Sequence, residues 1–157
     1  MSKKLPMSPD MSYMLGVSRI GKEEPSISVA SRNGKVVERF MRIAISTLKI
    51  LPEKIVFEEE DGLNIAMFYN SKAKKLMSKA LEEREHLFKY KNDYSGSYFA
   101  GLFDARGHGS PKGIMSGVRD MTDIMLLERL GFRVSKSGRV QNANQYLKFI
   151  EPYSATL

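Results

Sequence analysis

The predicted order of secondary structure occurs twice along this chain of 157 residues. The order is helix, strand, helix, hairpin and helix, first over residues 10–92 and then over residues 93–157. An internal repeat of this length is typical of two similar halves related by pseudo-two-fold symmetry. Residues 1–9 form a short basic tail before the first repeat. Because both halves lie in one chain, we expect the free protein to be a monomer.

The first repeat combines amphipathic helices with alternating strands. A short apolar helix is predicted over residues 11–17, and Ser26–Ser31 alternates with the period of two that is typical of a strand. A strongly amphipathic helix is predicted over residues 35–50 and ends before Pro52. The repeat closes with a hairpin of residues 55–57 and Leu63–Tyr69, which turns at Asp61-Gly62, and with a helix over residues 71–90.

The second repeat shows the same signals in the same order. A helix is predicted over residues 94–105, a strand over residues 113–118, and a helix over residues 121–130 that Gly131 closes. Each repeat therefore has one predicted strand between its first two helices. The remaining elements are a hairpin of residues 132–136 and 139–141, which turns at Ser137-Gly138, and a helix over residues 144–150 that Pro152 limits.

Charge and composition favour a polyanionic partner. The formal net charge is +7, and such an excess attracts nucleic acid or the ribosome through long-range electrostatics and counterion release. The absence of cysteine excludes disulfides and thiolate metal sites and fits a reducing cytoplasm. No apolar run approaches the length of a membrane helix, so no membrane association is expected.

One segment of the second repeat resembles the signature of a known family. Residues 98–107 read Tyr-Phe-Ala-Gly-Leu-Phe-Asp-Ala-Arg-Gly and resemble the LAGLIDADG motif of homing endonucleases. Residues 13–17, Tyr-Met-Leu-Gly-Val, look like a worn first copy, in which Tyr13 and Gly16 keep the spacing of Tyr98 and Gly101. Residues 146–153 also look like the closing helix of a family repeat. The resemblance thus covers most of the chain.

The resemblance implies an α+β fold of two pseudo-symmetric αβαββα repeats. In that fold the motif helices pack together at the centre, and each half carries a curved antiparallel sheet. Close packing of two helices needs small residues on one face, and residues four apart share a face. The residues expected at this helix interface are Ser12, Gly16, Ser97, Gly101 and Ala105.

The resemblance also shows which catalytic groups are missing. In the family, the eighth motif position of each helix is an acid, and the two acids hold the divalent ions that cleave DNA. Here that position is Arg106 in the second motif and, aligned through Gly16, Gly21 in the first. Neither can ligate a cation. No catalytic residue, metal site or cofactor is therefore expected.

Three other acids lie near the motifs. Asp104 is expected on the opposite side of its helix from Arg106, because residues two apart differ by about 200° around a helix. Glu23 and Glu24 follow the first motif and are the remaining candidates for displaced catalytic acids. Mg²⁺ would be a cofactor only if such acids restored cleavage.

Family members place their sheets on the DNA major groove, since a strand directs alternate side chains to one face. Arg106 is expected to hold a phosphate where the metal would lie. Residues 132–150 contain no acid, whereas residues 58–61 at the first hairpin tip are all acidic, so binding is expected to centre on the second repeat. The predicted nucleic-acid-binding residues are Arg32, Arg106, His108, Lys112, Arg119, Arg133, Lys136 and Arg139.

Three functions remain open at this point. The first is a non-catalytic protein that binds duplex DNA or structured RNA, including ribosomal RNA, since the apparently small sheets leave room for recognition by shape. The second is an active LAGLIDADG endonuclease that uses displaced acids. The third is a ribosome- or protein-associated module that retains only the fold, because a fold does not fix a function.

Overall fold

The computed structural model describes residues 6–110 and 113–157. The first half contains α1 (Pro9–Val17), β1 (Arg19–Ile20), β2 (Ser26–Ser31), α2 (Gly34–Ser46), a 3₁₀ turn (Pro52–Lys54), β3 (Val56–Glu60), β4 (Leu63–Tyr69), α3 (Ser71–Glu82) and α4 (Arg84–Leu87). The second half contains α5 (Asp93–Arg106), β5 (His108–Ser110), β6 (Gly113–Met115), α6 (Met121–Arg129), β7 (Arg139–Val140), α7 (Ala143–Ile150) and a 3₁₀ turn (Glu151–Tyr153).

Each half carries one antiparallel sheet, as the predicted α+β fold requires. The first sheet has the strand order β1-β2-β4-β3, and the second has the order β5-β6-β7. In the first sheet Ile27, Val29, Ala66 and Phe68 are buried on one face, because side chains alternate along β2 and β4. Helices α2 and α3 pack against this face.

The two motif helices, α1 and α5, pack directly against each other at Gly16 and Gly101. A β-carbon on Gly16 would overlap the carbonyl oxygen of Tyr98 and lie 2.8 Å from the amide nitrogen of Leu102. A β-carbon on Gly101 would overlap the carbonyl oxygen of Tyr13. The backbones therefore touch at a distance that only glycine permits. Of the other residues predicted at this interface, Ser12 and Ser97 are buried and Ala105 packs against the core.

A buried carboxylate ties the end of the chain to this helix pair. Asp104 accepts hydrogen bonds from the hydroxyl of Tyr13 at 2.7 Å, from the backbone of Ala155 at 2.7 Å and from the hydroxyl of Thr156 at 2.9 Å. Tyr13 lies in α1, Asp104 in α5 and the other two in the C-terminal segment. Asp104 therefore has a structural role on the side of α5 that holds the chain terminus.

Between its first two helices, each repeat has one strand more than the sequence predicts. β1 follows α1 directly and pairs with β2, and β5 follows α5 and pairs with β6. Two strands, rather than one, thus lie between the first two helices of each half. Elements of two or three residues are too short to show an alternating pattern, so hydrophobic periodicity does not predict them.

Two predicted helices end earlier than expected. The helix predicted over residues 35–50 ends at Ser46, because Lys49 adopts a left-handed conformation (φ 59°) and the amide of Ile50 bonds to the carbonyl of Ala44. The helix predicted over residues 71–90 is interrupted at Glu83. Beyond that break, Arg84 turns to form ion pairs with the second half of the molecule.

The strands of the second repeat are also shorter than predicted. The strand predicted over residues 113–118 ends at Met115, because Gly117 has φ +86° and packs against the backbone of Leu102. In the predicted hairpin, residues 132–136 contribute only a single bridge, Val134 to Val140. The turn itself forms, with the amide of Gly138 bonded to the carbonyl of Ser135.

The repeat boundary after residue 92 stays a prediction, although each proposed repeat contains one sheet. Asn92 caps α5 through hydrogen bonds from Tyr94 and Ser95, so a helix begins at the expected place. At the other end of the chain, the predicted tail is shorter than nine residues, since Ser8 caps α1 and the helix starts at Pro9. Residues 1–5 of that tail lie outside the described residues. Within the described chain, no helix has the length and hydrophobicity needed to span a membrane.

We predict that Gly101→Leu destabilises the protein by about 1–3 kcal/mol or more, because the added side chain has no space against α1. Gly34→Ala is the control, since a β-carbon there would meet no heavy atom within 4 Å in the described chain, apart from its sequence neighbours and its own helix backbone. The control should leave stability unchanged or raise it by up to about 1 kcal/mol. Urea denaturation of both variants is the measurement, and equal stability would contradict the helix packing.

Candidate nucleic-acid interface

The motif helices end beside each other, and three arginines gather at their C-terminal ends. Arg106 lies in the last turn of α5, Arg19 follows the end of α1, and Arg119 lies in the segment between β6 and α6. The carbonyl of Gly16 accepts hydrogen bonds from Arg106 at 3.4 Å and from Arg119 at 3.3 Å, and Arg119 also donates to the carbonyl of Ser18. Carbonyls at a helix C-terminus lack helical partners and favour cations.

These arginines line a cavity of about 390 Å³, which we call the arginine cavity. Gly117 allows the segment that carries Arg119 to pass close to α5, because a β-carbon at position 117 would overlap the carbonyl oxygen of Leu102. Among the described residues, no carboxylate lines the cavity. Its lining consists of Ser18, Arg19, Ile20, Leu81, Arg106 and Arg119.

The surroundings of the arginine cavity destabilise the positive charge of Arg106. Burial, followed by the positive charges of Arg119 and Arg19, lowers the pKa of Arg106 to about 10. Within the described part of the chain, Nη1 of Arg119 and the hydroxyl of the fully buried Ser18 have no hydrogen-bond partner. Buried polar groups are normally paired, so the cavity has unused hydrogen-bonding capacity.

The acid whose charge acts on Arg106 is Asp123, and it is already engaged. Asp123 is 0% exposed and accepts hydrogen bonds from Arg84 at 2.7 Å and from the hydroxyl of Tyr98 at 2.6 Å. Its second oxygen accepts from the amide of Arg119 at 3.0 Å. Arg84 also pairs with Asp120 at 3.0 Å. Asp123 therefore positions Arg119 and has no free oxygen to offer a metal ion.

The residues considered as displaced catalytic acids do not come together. Asp104 is occupied by the C-terminal segment, and Glu23 lines a separate groove beside Lys74 and Lys75 of α3. Gly21 lies in the turn between β1 and β2, where a β-carbon would overlap Ser26. Within residues 6–110 and 113–157, no group of three or more acidic, histidine or cysteine side chains is placed to hold a metal ion.

The outer face of the second sheet carries a row of three residues. The register places His108 opposite Met115 and Met115 opposite Arg139, whereas Val140 is buried on the other face. Within the described chain, Nε of Arg139 is buried without a hydrogen-bond partner. Arg133 and Lys136, in the adjoining hairpin, are exposed. The structure thus brings these predicted binding residues to one sheet and its turn, while Lys112 lies outside the described residues.

The outer face of the first sheet is chemically different. One row across it reads Arg19, Ser28, Met67 and Val56, and the next reads Ala30, Ile65 and Glu58. Arg32 lies at the far end of β2 and donates to the carbonyl of Asp61 at 2.8 Å, so it is held at the acidic hairpin tip. Arg32 therefore lies beside the first sheet, next to acidic residues, and does not join the basic residues of the second sheet.

Sequence reasoning missed Arg19 and Ser18 as site residues. Alignment through Gly16 assumes that α1 continues for five residues beyond that glycine, as α5 continues beyond Gly101. α1 instead ends at Val17, and β1 begins at Arg19. The basic residue directly after the worn motif was the available signal. Its importance depends on where the helix ends, which the worn motif does not reveal.

The chain has the fold of a LAGLIDADG homing endonuclease, as the motif predicted. The sequence itself matches no family model and no curated protein.

Solved structures of the homing endonuclease I-DmoI are among those that the chain resembles. The structure of a mesophilic variant of I-DmoI has 15% sequence identity to this chain and a TM-score of 0.64, and the match covers 95% of this chain and 97% of that chain. I-DmoI in complex with DNA and Mn has 15% identity and a TM-score of 0.63, with 91% and 94% covered. At this identity the likeness establishes the fold alone.

We predict that Arg84→Met destabilises the protein by about 3–5 kcal/mol, because it leaves the charge of Asp123 buried without its cation. Glu85→Gln, in the same short helix and exposed, is the control and should change stability by less than about 0.5 kcal/mol. Thermal and urea denaturation measure both. Equal stability of the two variants would show that Asp123 does not depend on Arg84.

Proposed function

We propose that this protein binds duplex DNA without cleaving it. The observation that carries the proposal is the arginine cavity at the ends of the two motif helices. From the family motif we expect a metal-binding acid at position 106, whereas this chain has the guanidinium group of Arg106 there, with those of Arg19 and Arg119 nearby. A guanidinium suits a phosphate oxygen by charge and geometry and cannot ligate a metal ion.

The chemistry of the described acids supports the non-catalytic part of the proposal. Mg²⁺ requires oxygen ligands, chiefly carboxylates, in a near-octahedral arrangement. Asp104 and Asp123 use their oxygens within the fold, and Glu23 faces another groove. The rival function is cleavage with Mg²⁺ held by displaced acids. It would require Asp104 or Asp123 to give up its hydrogen bonds and bind the metal ion instead.

Binding would centre on the second sheet. Its outer face carries His108 and Arg139 on either side of Met115, and the adjoining turn carries the exposed Lys136. I-DmoI has been crystallised with its target DNA. The outer face of the first sheet carries mostly neutral side chains and an acidic tip, which repels phosphate. We therefore propose a lopsided contact by a monomer, with duplex DNA favoured over structured RNA because strands of a sheet fit the DNA major groove.

We predict that DNA selected for binding is not cleaved when metal is added. A randomised duplex pool is first enriched on the protein in EDTA, so that the test does not depend on knowing the target. The bound duplexes are then incubated with Mg²⁺ or Mn²⁺ and examined on denaturing gels. Full-length DNA throughout is the expected result. Metal-dependent cleavage that survives Arg106→Ala would overturn the non-catalytic assignment.

We predict that replacing Arg133 and Arg139 together with Ala weakens DNA binding and flattens its salt dependence. If each arginine neutralises about one phosphate, the slope of log K against log salt should fall by about one to two units. Fluorescence anisotropy across a salt series measures this slope for duplex DNA and for structured RNA.

The control for the salt series replaces Lys72 and Lys75 with Ala. Both are exposed on α3, and the substitution removes the same charge as the hairpin variant. Lys74 is left intact because it bonds to the carbonyls of Lys22 and Glu24. An equal loss in both variants would mean that affinity reflects overall charge only, and tighter binding of RNA would reject DNA as the target.

A further inference from the structure

The arginine cavity concentrates positive charge, and no carboxylate of the described residues lines it. Arg19, Arg106 and Arg119 all line it, and Arg106 and Arg119 share one acceptor, the carbonyl of Gly16. Like charges this close repel one another, and partial burial strengthens the repulsion because the local dielectric is lower than that of water. Burial is the main reason why the pKa of Arg106 is lowered, and the charges of Arg119 and Arg19 lower it further. A bound anion would relieve this repulsion.

The unused donors at the arginine cavity are specific groups. Nη2 of Arg119 is fixed by the carbonyls of Gly16 and Ser18, whereas its Nη1 has no partner among the described residues. The hydroxyl of Ser18 is also unpaired, and Ser18 is 0% exposed. A carboxylate oxygen of Asp123 accepts a hydrogen bond from the backbone amide of Arg119 at 3.0 Å. The guanidinium is therefore oriented before any ligand arrives, which reduces the entropy lost on binding.

We infer that the arginine cavity is a binding site for one phosphate group, held by Arg119, Arg106 and the hydroxyl of Ser18. A phosphate has several acceptor oxygens and negative charge, and it can accept from two guanidinium groups and a hydroxyl together. Arg19, exposed at the rim, adds a third positive charge. A metal cation is disfavoured at the same place, since the arginines repel it.

The phosphate can come from two sources with the same chemistry. One is the backbone of bound DNA, and this source rests on the proposed function. The other is free phosphate, which would then occupy the site when DNA is absent. The existence of the site depends on neither source, because its evidence is the unpaired charge and donors of the protein itself.

Calorimetric titration with inorganic phosphate, at constant ionic strength set with chloride, tests the site. We expect saturable binding of one phosphate per chain. Ser18→Ala should weaken it about tenfold, the effect of losing one hydrogen bond to a charged group. Arg119→Gln should abolish it. Arg129→Gln, which removes an exposed charge outside the cavity, is the control and should bind within twofold of the parent protein.

Ser18→Ala keeps the inference testable if Arg119→Gln fails to fold, because Ser18 makes no side-chain hydrogen bond within the described residues. Absence of saturable phosphate binding by the parent protein would overturn the site. Equal weakening in Ser18→Ala and Arg129→Gln would overturn it too, since only general charge would then be involved.

Competition distinguishes the two sources of phosphate. If inorganic phosphate displaces labelled duplex DNA from the parent protein, and about tenfold more phosphate is needed with Ser18→Ala, the cavity takes a backbone phosphate. If phosphate binds without affecting DNA affinity, the cavity is a site for the free anion. DNA binding that depends on Arg133 and Arg139, without any phosphate binding, would reject the site and leave the proposed function intact.

Discussion

The rest of the structure depends on the contact between the backbones of α1 and α5 at Gly16 and Gly101. Each glycine lies where a β-carbon would overlap a carbonyl oxygen of the other helix. This close approach brings the two halves together in one core. The buried bond from Tyr13 to Asp104 holds the same pair on its other side and anchors the C-terminal segment.

The close approach also decides the chemistry of the site. Because the two helices end together, the free carbonyl of Gly16 lies within reach of arginines from α5 and from the segment before α6. A pair of carboxylates at such a place can hold metal ions, whereas arginines make it a place for an anion. The same architecture therefore supports opposite electrostatics, according to a few side chains at two helix ends.

The outer faces of the two sheets differ in their chemistry. The second sheet presents a histidine, an arginine and a basic turn, while the first presents serine, methionine, isoleucine and valine and ends in glutamates. Buried faces are constrained by packing, and solvent-facing positions are free to change as long as strands keep their alternation. The asymmetry is the physical basis for a contact centred on one half.

The sequence by itself determined the repeat, the α+β fold, the glycine faces of the motif helices and the replacement of the expected acid by Arg106. These features are local, because a motif and a hydrophobic period can be recognised without knowing what lies nearby in space. Only the tertiary structure decided that α1 ends at Val17, that β1 and β5 exist, and that Arg19, Arg106 and Arg119 share a cavity with Ser18. Short strands carry too few residues for a pattern, and the cavity joins residues about 100 positions apart. Its charge and its unpaired donors arise from that proximity, which is a property of the packed molecule.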